Sequence, residues 1–156
     1  MSPPHTPPPG YWARTLYRDP RRRPKPEAPL RDLPSRAAGR FRRAREGIRS
    51  LKHVTEQVVF LGVRWKWVWM YEVGGRKLGY LHPMEQAVSG TFVLSPAEEQ
   101  ELTAADGLPR VVRSAVREGL SDGGLRWCWM DFSHLDAVEA FIFVVQQKHH
   151  YLARPE

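Results

Sequence analysis

Six aromatic residues and one carboxylate stand at a spacing that could do chemistry. Trp65, Trp67, Trp69 and Tyr71 alternate with Lys66, Val68, Met70 and Glu72, and Trp127, Trp129 and Asp131 repeat the two-residue step further on. In an extended strand every second side chain points to the same face. If the two strands pair, their rings form one platform. Such a platform holds planar or cationic ligands by stacking and cation–π contact, and it can stack nucleobases. The competing reading places the same rings under the helices as core, because tryptophan buries a large area and needs one partner for its indole N–H. A carboxylate beside indoles has a raised pKa, so Asp131 would act as an acid or hold a ligand amine, unless it ends its strand in water. The candidate ligand site is therefore Trp65, Trp67, Trp69, Tyr71, Trp127, Trp129 and Asp131.

Other reactive residues form no recognisable set. His82 and Glu85 flank Pro83, but a metal site needs three or four ligands, and Asp131 and His134 could join them only through the tertiary fold. His149 and His150 diverge by about 100° on a helix. Cys128 alternates away from Trp127 and Trp129 and has only Arg126 near it, so it reads as a buried, inert thiol. There is no glycine-rich phosphate loop, no Gly-x-Ser-x-Gly elbow and no Cys-x-x-Cys pair. No catalytic residue and no metal ligand are assigned, no cofactor is expected, and the balance leans away from an enzyme.

The elements that must position the aromatic residues follow from periodicity. Phe41, Ala44, Ile48, Leu51, Thr55 and Val58 recur at helical steps, which predicts a basic amphipathic helix from about Ala37 to Leu61. Trp65–Val73 and Arg76–His82 predict a hairpin turning at Gly74-Gly75, and Ala87–Leu94 a third strand. Ser95-Pro96-Ala97-Glu98 is a helix start with a capping box. Leu108–Leu120 predicts a second short helix and Ser121–Gly124 a turn. Leu125–Phe132 predicts the fourth strand. The run Phe141–Val145 fits strand or helix, and Ser133 with Asp136 favours a helix. The expected fold class is α+β: a four-stranded, mainly antiparallel sheet packed on helices, in the order helix, three strands, two helices, strand, helix.

Charge divides the chain of 156 residues. Residues 1–45 hold twelve Lys/Arg against three Asp/Glu, net +9; residues 46–156 hold twelve against fourteen, net −2. Residues 1–36 are rich in proline and arginine, which predicts a disordered basic tail, with Tyr11-Trp12 and Leu16-Tyr17 as residues able to dock. Residues 37–156 are expected to form a single domain. The tail and first helix offer Arg21, Arg22, Arg23, Lys25, Arg42 and Arg45 to phosphates; the alternative is a solubilising extension and a solvated helix face. No apolar run approaches the ~18 residues that span a bilayer, so no membrane partner is expected. A lone cysteine fits a reducing, cytoplasmic compartment.

The motifs Trp67-Val68-Trp69-Met70-Tyr71, Gly75-Arg76-Lys77-Leu78-Gly79-Tyr80-Leu81-His82-Pro83 and Gly90-Thr91-Phe92-Val93-Leu94, followed by Leu125-Arg126-Trp127 and Gln147-Lys148, resemble domain-of-unknown-function family 3788. The likeness covers roughly residues 45–152. It implies a small bacterial cytosolic α+β protein and carries no catalytic residue. The three alternating tryptophans and the segment Met84-Glu85-Gln86-Ala87 depart from the family pattern. The functional expectation is a non-enzymatic domain that binds a small ligand or protein partner on its aromatic sheet face. A nucleic-acid accessory role through the basic arm is the alternative, and an enzyme or metal-handling role is the least supported.

Overall fold

A computed structural model describes residues 10–153. After a 3-10 turn at Tyr11–Arg14, the elements are α1 (Ala28–Asp32), α2 (Ser35–Arg49), β1 (Val54–Phe60), α3 (Gly62–Trp65), β2 (Trp67–Val73), β3 (Arg76–Pro83), β4 (Val88–Leu94), α4 (Pro96–Thr103), α5 (Arg110–Arg117), β5 (Leu120–Asp122), β6 (Leu125–Asp131) and α6 (Leu135–Ala153). The class is α+β, but the sheet has six strands rather than four. All neighbours are antiparallel, in the order β1-β2-β3-β4-β6-β5.

The two additional strands have separate causes. The helical steps of α2 continue by coincidence through Leu51, Thr55 and Val58, yet the same stretch alternates Val54, Glu56, Val58, Phe60 against Thr55, Gln57, Val59 and is rich in β-branched residues. The helix stops at Arg49, the backbone turns at His53 (φ 63°), and β1 pairs with β2 along its whole length. β5 is three residues long, too short for a period. It forms a hairpin with β6 across Gly123-Gly124, whose positive φ of 62° and 77° supply the tight turn, as at Gly74-Gly75. Elsewhere the expected elements are present. The Ser95 capping box closes, with the Glu98 N–H donating to Ser95 Oγ at 3.2 Å and the Ser95 N–H to Glu98 Oε1 at 2.8 Å, and Phe141–Val145 is helical.

Helices α2, α4, α5 and α6 contribute Phe41, Ile48, Leu102, Val112, Val138 and Phe141 to a core on one face of the sheet. This helix face receives Trp67, Trp69, Tyr71, Leu81, Phe92, Cys128 and Met130. The strand register sends Val68, Met70, Tyr80, His82, Thr91, Val93, Trp127 and Trp129 to the opposite, outer face. Helix α6 rests on the sheet through Phe141, whose ring lies over Gly90.

The expected disorder of residues 1–36 does not hold for residues 10–36, and the folded unit does not begin at residue 37. Residues 1–9 lie outside the described residues. Residues 10–16 lie along the outer face, held by the Thr15–Met84 bridge and by the Leu16 N–H donating to the Pro83 carbonyl at 3.1 Å. The chain then passes the end of the sheet and continues on the helix face. There the Trp67 indole N–H donates to the Asp19 carbonyl at 2.7 Å and the Trp69 indole N–H to the Pro26 carbonyl at 2.9 Å. Ala28 and Leu33 are buried. Proline keeps most of this strap out of regular helix and sheet, apart from the short α1, but it also lowers the entropy lost on ordering, and each residue still offers a carbonyl acceptor. Among the described residues no helix is long and apolar enough to cross a membrane.

A Cβ at position 90 would stand 2.6 Å from Phe141 Cε1 and 2.9 Å from Phe132 Cζ. Gly90→Ala is expected to destabilise the fold by about 1–3 kcal/mol through overpacking, read as a lower midpoint in urea unfolding. Adding Phe141→Leu is expected to cost less than the two single changes summed.

Candidate functional site

The expected platform is divided between the two faces. Trp67, Trp69 and Tyr71 are core residues of the helix face, and Trp69 and Tyr71 are fully buried. Both indole N–H groups serve the strap, and the Tyr71 hydroxyl donates to Glu56 Oε2 at 2.7 Å. These three residues are therefore withdrawn from the candidate site. Trp65 is not in the strand. It ends α3, and the left-handed turn at Lys66 (φ 57°) carries it to the outer face, where its ring meets Trp127 at 6.1 Å. Trp127, Trp129 and Asp131 share that face. The structure thus brings Trp65, Trp127 and Trp129 together, on the side of the sheet opposite Trp67, Trp69 and Tyr71.

Three residues absent from the expected set complete the cluster. Trp12 stacks on Trp65 at 5.6 Å and meets the His82 ring edge-on at 4.9 Å. Tyr11 packs edge-on against Trp129 at 5.3 Å and donates its hydroxyl to Ser89 Oγ at 2.7 Å. Burial of that phenol pushes its pKa up to about 12. His82 lies 4.8 Å from the Trp65 ring and is hydrogen-bonded through Nε2 to Thr91 Oγ1 at 2.8 Å. Its complete burial drives its pKa down to about 3, so the ring is neutral. The signals were available in part. Tyr11-Trp12 stood out in the proline-rich stretch, and His82 shares the alternation of Tyr80.

Three buried side-chain atoms lack a hydrogen-bond partner among the described residues: His82 Nδ1, Trp127 Nε1 and Trp129 Nε1. All three belong to the outer face. Trp127 also lines a cleft of about 310 Å³. The cleft opens where β3 and β4 part: their pairing ends at Tyr80–Thr91, and β4 continues to Leu94 without β3. Tyr80, Val93 and Trp127 line it together with Arg76, Lys77 and Lys148. Lys148 reaches across from α6, donates to the Val93 carbonyl, and has Glu98 Oε2 at 3.9 Å. It is 4 % exposed, and desolvation lowers its pKa against the pull of Glu98.

The remaining candidates separate cleanly. Arg45 is buried, not a phosphate contact: it makes bonds of 2.8 and 2.9 Å to Glu56. Arg21, Arg22, Arg23, Lys25 and Arg42 are exposed. Asp131 ends β6 at the surface, where desolvation still raises its carboxyl above the usual range, opposed by Arg40 and His134. Burial pushes the Cys128 thiol up to about 12, which leaves it unreactive near neutral pH. Among the described residues no three His, Cys, Asp or Glu side chains are grouped to hold a metal ion.

Two outcomes follow from this burial. Arg45→Met leaves Glu56 buried without its ion partner and is expected to cost about 3–5 kcal/mol, whereas Arg42→Met changes stability by less than about 0.5 kcal/mol; chemical unfolding distinguishes them. For His82, the folded pKa lies below the unfolded one, so the unfolded chain takes up the proton first on acidification. The stability this neutral ring contributes is complete above pH ~6.5 and is lost at about 1.4 kcal/mol per pH unit as pH falls toward 3. The stability gap between wild type and His82→Gln is expected to narrow steadily from pH 6.5 to 4.5. Parallel profiles would contradict this. No family model matches this chain, and no curated protein or solved structure was found to be similar to it.

Proposed function

We propose that the protein is a cytoplasmic binding module whose site is the outer sheet face at Trp127, and that its ligand is a small anion with a planar apolar body. One observation carries the reading: the buried Trp127 indole N–H has no partner among the described residues, and Trp127 lines a cleft together with three cationic side chains and one carboxylate, Glu98. A buried donor without an acceptor is costly, and a ligand acceptor would complete it. The rings of Trp127 and Tyr80 offer a stacking floor, and Arg76 offers exposed charge at the mouth, beside Lys77, whose ammonium is paired with Glu72. The cleft volume is at the lower end of small-molecule sites. No nucleophile–base pair lies in it, which favours binding over catalysis. The lone, buried Cys128 supports a reducing compartment. The resemblance to domain-of-unknown-function family 3788 supplies no role for these residues.

The test is a thermal-shift and tryptophan-fluorescence titration of the full chain with benzoate, indole-3-carboxylate, their neutral amides and nucleoside monophosphates. At a hundredfold excess over Kd a ligand contributes about 2.7 kcal/mol, a shift of several degrees in Tm. The acids are expected to stabilise the protein and the amides to do so at least tenfold more weakly. Trp127→Phe and Arg76→Met are each expected to weaken binding with little loss of fold. No shift with any of these compounds, or equal shifts with acids and amides, would overturn the reading.

A further inference from the structure

The strap on the helix face bears a second concavity that owes nothing to the cleft at Trp127. Between Leu16 and Asp32 it encloses a cleft of about 540 Å³. Five cationic side chains line it: Arg18, Arg22, Arg23, Lys25 and Arg31. Two of them are engaged. Arg18 lies 3.2 Å from Glu85, and Arg31 lies 3.1 Å from Asp32, which also accepts the Tyr17 hydroxyl. The Arg23 guanidinium lies over the Trp67 ring at 5.9 Å, which leaves its N–H fork available. Arg22 and Lys25 are exposed and make no ion pair among the described residues. The acidic residues of the cleft are Asp19 and Asp32, and Asp19 is occupied as well: its carboxylate accepts the Arg21 N–H at 2.9 Å, forming a local turn.

The loop is held in shape from beneath. Trp67 and Trp69, two residues apart on β2, donate to the carbonyls of Asp19 and Pro26. The Arg22 N–H closes on the Asp19 carbonyl at 3.1 Å, and the Ala28 N–H on the Lys25 carbonyl at 3.0 Å. A basic, proline-rich stretch that would otherwise be a flexible polycation is thereby fixed as a concave surface. Fixing the charges in advance reduces the ordering cost of binding a polyanion. The half-buried ring of Tyr17 lies in the same cleft. Cationic walls with an aromatic residue among them match the chemistry of a single strand of nucleic acid, whose phosphates follow the charges and whose bases stack without regard to sequence.

We propose that the loop Tyr17–Lys25, pinned by the Trp67 and Trp69 indoles, is a preorganised binding site for the phosphodiester backbone of single-stranded nucleic acid.

The test is fluorescence anisotropy of the full chain with a labelled random 20-mer, as single strand and as duplex, across 50–300 mM salt. With about three phosphate contacts, from Arg22, Arg23 and Lys25, the logarithm of the affinity is expected to fall with the logarithm of salt at a slope near −2 for the single strand. Arg22→Gln with Lys25→Gln, both on the surface, is expected to reduce that slope by about 1.4 and the affinity at 100 mM salt by at least tenfold. Trp67→Phe removes no charge but releases the Asp19 carbonyl. Once circular dichroism shows it folded, it is expected to weaken single-strand binding at least threefold at unchanged salt slope. Wild-type affinity in folded Trp67→Phe would overturn the preorganised site and leave a plain polycation. Tighter binding of the duplex, or of vesicles containing phosphatidylserine, would also overturn it, as would wild-type affinity in the double variant.

Discussion

The fold depends on a sheet that is apolar on both faces. From Trp67 to Tyr71 and from Val88 to Leu94 every residue is buried. Strands of that kind must be covered twice, but the helices α2, α4, α5 and α6 cover only one face. The second cover is the N-terminal strap, which lays Tyr11 and Trp12 on the outer face before it crosses to the helix side. This requirement explains why a stretch of proline and arginine, poor in its own apolar residues, is ordered. Its contacts come from the sheet and the end of α3: Trp129, His82 and Trp65 on one side, Trp67 and Trp69 on the other.

The tryptophans show how one residue type serves two purposes at the same spacing. Trp67 and Trp69 are buried and their indole N–H groups are satisfied by strap carbonyls. Trp127 and Trp129 are half-buried, and the Trp127 N–H has no partner among the described residues. Burial alone would rank the first pair as the more important, and for stability it is. Hydrogen-bond accounting points the other way for function, because an unpartnered donor retains an interaction that a ligand can complete. The buried Arg45–Glu56–Tyr71 network belongs with the first pair: every charge in it is met, so it fixes the α2–β1 packing and has nothing left to offer a partner.

Much of the framework was legible in the sequence because local rules and tertiary packing agree there. The glycine-pair hairpin at Gly74-Gly75, the Ser95 capping box and the closing helix each rest on chemistry within a few residues. The sheet was undercounted where they disagree. Val54–Phe60 satisfies a helical step and a strand alternation at once, and only pairing with β2 decides between them. The aromatic platform was misplaced for a different reason. Alternation sets the two faces within β2 and within β6, but which faces coincide depends on register through β3 and β4, and that is a property of four strands together. Trp65 reached Trp127 through a left-handed turn at Lys66, a non-glycine residue whose conformation no local preference announces.

The strap is anchored in series: Tyr11 to Ser89, Thr15 to Met84, Asp19 to Trp67 and Pro26 to Trp69. Anchors in series let one length open while the next remains fixed. Releasing Trp12 from Trp65 and His82 requires loss of the first anchor and of the Lys66 ammonium, which donates to the Trp12 carbonyl at 3.3 Å, and neither contact involves the loop on the helix side. The reverse is also true, because the bridge at Thr15 isolates residues 10–14 from movement beyond Leu16. A single N-terminal segment therefore covers the sheet on both faces, with separate anchors on each. Their separation is set by where the chain rounds the end of the sheet, at the contact of Thr15 and Leu16 with Pro83 and Met84.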